Sequence, residues 1–223
     1  YKTRLDTTQI GRIFDLLPNA LGKKIKHGSL FLDEKSKVVS KVLDMFSMAK
    51  IILKCAHTNA SSVPLSSTSD PDVYKIYHLD IGLLHHLQGL LPEEILVERK
   101  DSRSNVAGLS AEQFVAQHLL YAGPSYEESK LFYWLKDKTQ TKAEVDFIIN
   151  RGKQIIPIEV KSGKSGTLKS LFHFMETHKY NMAYRFFLGQ EEKSFYTETT
   201  SKNFKIKHLP LWMIEKVFQI PLD

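Results

Sequence analysis

A single cysteine, Cys55, stands among 223 residues, so no internal disulfide forms and no cysteine cluster holds zinc. It lies in the apolar run 51–56 and reads as a small core residue rather than a nucleophile. Long hydrophobic runs are missing too. None approaches the roughly 18 residues that a bilayer crossing needs, and no basic-then-apolar secretory pattern opens the chain. The expected location is therefore a reducing cytoplasm, with no membrane partner. The first residue is Tyr1 rather than a methionine, so the chain is expected to be one part of something longer. A glycine-rich phosphate loop is also lacking: residues 162–167, S-G-K-S-G-T, look like one, but a Walker A motif requires glycine where Ile158 stands. Among the nine histidines, the pair His85 and His86 lacks the spacing and company of a zinc site.

What is present is an ordinary globular composition, 42% hydrophobic, enough for one large or two small domains with cores. The net charge is +6, and it is unevenly spread. Residues 1–50 carry ten Lys or Arg against five Asp or Glu, residues 130–170 carry nine against four, and the remainder is net acidic. Such basic lobes attract polyanions and speed encounter with nucleic acid. A modest lysine excess also serves simply as solvated surface.

Two strand-like runs near the middle hold the most specific pattern. Asp146 lies in A-E-V-D-F-I-I, and Glu159 and Lys161 lie in I-P-I-E-V-K. Side chains alternate along a strand, so Glu159 and Lys161 share a face. If Arg151-Gly152 forms a two-residue hairpin loop, Asn150 pairs with Lys153 and Asp146 falls opposite Pro157, on the same face as Glu159 and Lys161. A loop one residue longer would turn Asp146 away. Two hard oxygen ligands can hold Mg²⁺ or Mn²⁺ while leaving it several waters and a phosphate oxygen, and a nearby lysine can orient water or stabilise charge developing on phosphorus. Glu and Lys on a strand face also form plain ion pairs. The apolar residues on either side of both motifs argue for buried central strands, where a carboxylate is costly without a compensating partner.

Upstream, Ser110 reads as an N-cap, with Gln113 at the capping-box position and Leu109 and Phe114 as a hydrophobic staple. A helix over about 111–121, closed by Gly123-Pro124, follows. Glu112 then sits in the first turn, either complementing the helix dipole or aimed at the same metal.

The order of a glutamate on a helix, an aspartate on one strand and E-x-K on the next resembles the PD-(D/E)XK nuclease superfamily. More closely, residues 74–84 (Y-K-I-Y-H-L-D-I-G-L-L), G-L-S-A-E-Q-F-V, and the run from A-E-V-D-F-I-I to I-P-I-E-V-K-S-G are similar to the C-terminal module of unknown function that follows the ATPase domain in many AAA-type ATPases of bacteria and archaea. There Tyr77, Leu79, Asp80 and Gly82 belong to a recurrent segment after a winged-helix-like lobe. The resemblance implies a restriction-endonuclease-like α/β sandwich with a mixed sheet, an attached N-terminal ATPase, and a site of Glu112, Asp146, Glu159 and Lys161. Asp146 and Glu159 would be the metal ligands, with Glu112 in support.

The remaining pattern fits two lobes. A helix over 6–17 closed by Pro18, and one over 33–48 with Val39, Val42, Leu43 and Phe46 at helical spacing, precede strands at 50–56 and 73–79. The 57–72 stretch between them is a long loop. This is the plan of a winged helix, in which Lys35, Lys37 and Lys41 would face DNA; packing against neighbouring modules is the alternative. Short helices over 79–90 and 92–97 and a polar connector then set a boundary, giving lobes 1–97 and 98–223. The second lobe reads as strands at 131–135, 143–149, 154–161 and 183–188, a helix over 167–178 capped by Thr167, and a tail strand with a short helix opened by Pro210. Lys164 would face the basic groove. Two functions remain open: a Mg²⁺-dependent nuclease, or a non-catalytic module that binds nucleic acid or a protein and regulates an ATPase.

Overall fold

The structure is a computed structural model that describes residues 6–25, 36–91, 105–123, 129–138, 141–163, 167–188, 196–200 and 203–222. Five α-helices are described: α1 (Thr7–Ala20), α2 (Ser36–Met48), α3 (Ile81–Leu87), α4 (Asn105–Ala122) and α5 (Lys169–His178). They surround nine strands: β1 (Lys24–Ile25), β2 (Ile52–Thr58), β3 (Ser69–His78), β4 (Leu131–Lys138), β5 (Thr141–Arg151), β6 (Gln154–Lys161), β7 (Met182–Phe187), β8 (Tyr196–Thr199) and β9 (Lys205–Pro210). All nine form one sheet, in the order β1-β3-β2-β4-β5-β6-β7-β9-β8. The β2–β4, β6–β7 and β7–β9 pairs are parallel and the others antiparallel, so the architecture is mixed α/β. Among the described residues no helix is long and apolar enough to cross a membrane.

Three hydrophobic groups follow from the alternation of the strands. Val115, Ala116 and Leu119 of α4 pack with Tyr77, Phe147, Ile156 and Ile158 on one face. On the other, Leu171, Phe174 and Met175 of α5 pack with Trp134, Val145, Ile148 and Ile155. The middle strands are therefore covered on both sides, as their unbroken apolar runs require. The third group joins Ile13 and Leu17 of α1 to Val39, Val42, Leu43 and Phe46 of α2 and to Ile52 and Ile76 of the sheet. The sheet runs without interruption from β2 into β4, with Cys55 beside Leu131 and His57 beside Tyr133.

Several local expectations need correction. Pro18 lies inside α1, in its last turn, rather than ending it; it forfeits its own N–H bond, and only two helical residues follow it. The stretch 57–72 is not all loop, because a 3-10 turn occupies Leu65–Thr68 and β3 starts at Ser69. Helix α4 begins at Asn105, so Ser110 and Gln113 are not its cap. Ser110 Oγ instead pairs with His85 Nε2 at 2.8 Å, and Gln113 makes two bonds to the backbone of His78. Tertiary partners took both polar side chains. Leu168, without a side-chain hydrogen bond, stands at the N-cap of α5 in place of Thr167. The expected helix over 92–97 and residues 33–35 lie outside the described residues.

Candidate active site

Strands β5 and β6 meet through a tight hairpin whose loop is Gly152-Lys153, with Arg151 opposite Gln154 and Asn150 opposite Ile155. The loop is one residue further along than the sequence suggested. Gly152 has φ +59° and Lys153 has no positive φ, the pattern of a type II′ turn with glycine first. Because the pairing moves by two residues, faces are preserved: continuing the register from Phe147↔Ile158 sets Asp146 opposite Glu159.

Asp146 sits in a β-bulge. Between the pairs Phe132↔Ile148 and Trp134↔Val145, β5 spends one residue more than β4. Strict alternation would put Val145 and Phe147 on one face, yet Val145 packs under α5 and Phe147 under α4. A bulge re-aims side chains in this way. The carboxylate of Asp146 is fixed there, its Oδ2 accepting the Val160 N–H at 2.8 Å. Asp146 and Glu159 are 9% and 5% exposed.

Glu159 Oε1 accepts a hydrogen bond from Lys161 Nζ at 2.5 Å. Its other oxygen, Oε2, is buried without a hydrogen-bond partner. Leaving a buried charged acceptor unmatched costs more than the roughly 1–3 kcal/mol of a neutral group. Burial, then repulsion from Asp146, raises the Glu159 carboxyl to about 8 despite the pull of Lys161. Lys161 is itself held above its ordinary range, since Glu159 and then Asp146 outweigh the effect of burial.

Glu112, in the middle of α4, reaches the same region. Its Oε2 accepts from Tyr77 Oη at 3.3 Å and lies 3.9 Å from Lys75 Nζ. Burial and Asp146 raise this carboxyl to about 7, partly offset by Lys75. The first-turn position expected for Glu112 does not occur, so the helix dipole is not what places it there. The backbone of Gly22, at φ +64°, comes so close that an added Cβ would lie 3.5 Å from Glu112 Oε2 and 3.2 Å from Leu109 Cδ2.

Lys75 was not among the candidates read from the sequence. It is 1% exposed and forms ion pairs with both Glu112 and Glu144. The signal lay in its setting: a lysine between apolar neighbours of a strand, Tyr74 and Ile76, needs a counter-charge once that strand is interior. Burial would lower its pKa, but Glu112, Glu144 and Asp146 raise it instead.

Among the described residues no group of three or more His, Cys, Asp or Glu converges as metal ligands. Asp146 and Glu159 are the carboxylates that could hold a hard cation, with Glu112 close enough to act on both by charge, and the unmatched Glu159 oxygen is the feature that would suit one. Lys37 is exposed and Lys41 half-buried, both on α2, among a different hydrophobic group from the acid cluster. Lys35 and Lys164 lie outside the described residues. A cavity of about 780 Å³, lined by Leu119, Phe147, Ile149 and Phe218, contains none of the clustered acids.

Residues 107–212 match a family model described as a domain of unknown function (DUF4143), and residues 1–94 match a second, also described as a domain of unknown function (DUF8612). No curated protein and no solved structure matches the chain. The clustered residues draw on both matched stretches, with Lys75 and Tyr77 in 1–94 and Glu112, Glu144, Asp146, Glu159 and Lys161 in 107–212.

Proposed function

We propose that this chain is a nuclease-like module that hydrolyses phosphodiester bonds of nucleic acid, DNA foremost, with Mg²⁺ or Mn²⁺ held by Asp146 and Glu159. The observation that carries the reading is the buried, unmatched Glu159 Oε2 beside a fixed Asp146 and a paired Lys161. Bound there, a divalent cation would polarise a phosphoryl oxygen and acidify a water. Val160 N–H orients the Asp146 carboxylate, and Lys161 positions the attacking water and offsets negative charge growing on phosphorus. Glu112, restrained by Tyr77 and Lys75, supports that water from the helix side. The finer architecture in this reading is a winged-helix-like lobe over 1–97 and a restriction-endonuclease-like sandwich over 98–223. The module would work in the cytoplasm beside an AAA-type ATPase, with Lys35, Lys37, Lys41 and Lys164 contacting nucleic acid.

The test is cleavage of labelled single- and double-stranded DNA and RNA with Mg²⁺ or Mn²⁺, by the chain alone and joined to its ATPase with ATP. Asp146→Ala and Lys161→Ala should each remove cleavage, by 10²-fold or more as the order of magnitude for a lost charge-stabilising group, with the fold intact by circular dichroism. Absence of cleavage by the unmodified protein in every condition would overturn the reading. A second reading, a non-catalytic adaptor that keeps the scaffold for shape, draws on the fact that Lys75 already neutralises part of the acid cluster. It predicts nucleic-acid or protein binding that is indifferent to Asp146.

A further inference from the structure

Four carboxylates, Glu112, Glu144, Asp146 and Glu159, carry more negative charge than a single divalent ion neutralises. Glu112 is influenced by Asp146 and Glu144, and Glu159 by Asp146 and Glu112. Two ammonium groups offset them: Lys75 pairs with Glu112 and Glu144, Lys161 pairs with Glu159, and Asp146 acts on both lysines by charge. With all six ionised, two negative charges remain, which is what one divalent cation neutralises.

The two ammoniums play different parts. Lys161 is 27% exposed along its side chain and lies at the open end, on Glu159. Lys75 is sealed inside, and its route is built for it. In the sheet β2 and β4 separate β3 from β5, and the Lys75–Glu144 ion pair spans that gap. Lys75 lies beside Cys55 in the β2–β3 ladder, where a small side chain leaves room for the lysine stem. Its Nζ lies 5.2 Å from the centre of the Tyr133 ring. An ammonium is satisfied by two carboxylates and an aromatic face, whereas Mg²⁺ keeps its waters and prefers near-octahedral oxygen donors.

We propose that Lys75 is a built-in cation that permanently fills one of two cation positions in the acid cluster, the one between Glu112 and Glu144, so that the site takes one divalent ion, at Asp146 and Glu159, and never a second. This rests on the metal-site reading above, and it makes β3 a working part of the site. Lys75 is then a positioning residue: it holds Glu112 and Glu144 by charge, without touching substrate.

The test is calorimetric titration of the full chain with MnCl₂, together with thermal melts at several Mn²⁺ concentrations. The unmodified chain should bind one Mn²⁺. Lys75→Ala should melt lower without metal, regain its lost stability when Mn²⁺ is added, and bind two ions, because Glu112 and Glu144 are released. If Lys75→Ala does not fold, Lys75→Met combined with Glu144→Gln removes charge and counter-charge together, and should fold without metal and bind one ion. Two ions in the unmodified chain, or one ion and no Mn²⁺-dependent recovery in Lys75→Ala, would overturn the proposal. No Mn²⁺ binding by the unmodified chain, with one ion gained by Lys75→Ala, would sink the nuclease reading while upholding the role of Lys75.

Discussion

His78 is a buried imidazole, 1% exposed, with neither ring nitrogen hydrogen-bonded. Charging it inside the fold has no compensating acceptor, so burial lowers its pKa from 6.5 to about 4, with Asp80 pulling weakly the other way. The unfolded chain takes up a proton below 6.5 that the folded chain refuses until about pH 4. Unfolding is therefore favoured as pH falls through that window, while above it this residue contributes no pH dependence. Relative to the unmodified chain, replacing His78 with leucine should remove this acid-destabilising share from urea titrations between pH 6.5 and pH 4, where Glu159 and Glu112, raised to about 8 and about 7, work in the opposite sense. An unchanged acid slope would show that other groups, such as His208, which burial also lowers, account for it. The same residue-scale physics governs Glu159, where an unmatched oxygen, rather than exposure or sequence spacing, marks the site.

At the scale of elements, α4 is fastened to β3 by side chains. Gln113 is 0% exposed, donates from Nε2 to the His78 carbonyl and accepts the His78 N–H at Oε1, both at 2.8 Å. Gln117 accepts the Ile81 N–H at 3.0 Å. Gln113→Leu leaves two backbone groups unmatched, each costing about 1–3 kcal/mol, so chemical denaturation should show a loss of roughly 2–6 kcal/mol. A loss under about 1 kcal/mol would mean that water reaches these groups. This clamp also explains what the sequence concealed. Helix α2 was legible because Val39, Val42, Leu43 and Phe46 repeat with helical period and all four are buried. Strand β6 was legible in its full extent, 154–161, because its apolar run opens just after the turn glycine Gly152. The start of α4 was not, because Ser110 and Gln113 carry the chemistry of a cap while their partners, His85 and His78, lie far away along the chain. Lys75 was hidden for the same reason: Glu112 and Glu144 become its neighbours only when β3, α4 and β5 assemble. The Asp146 bulge was invisible because a bulge is a property of two paired strands, not of one.

At the scale of the whole molecule, one nine-stranded sheet gathers a site from four separated segments. Strand β3 brings Lys75 and Tyr77, α4 brings Glu112, β5 brings Asp146 and Glu144, and β6 brings Glu159 and Lys161. The two stretches matched by different family models are stitched together by the β2–β4 ladder and the α4 clamp, so the charge balance of the cluster depends on both. The account's central claim is that this gathering leaves one place for a hard cation at the bulge. Isothermal titration of the chain with Mn²⁺, repeated on Asp146→Asn, tests it most directly. The account predicts a saturable heat from the unmodified protein that disappears in Asp146→Asn while thermal unfolding remains cooperative; no heat at all, or the same heat in both proteins, would contradict it.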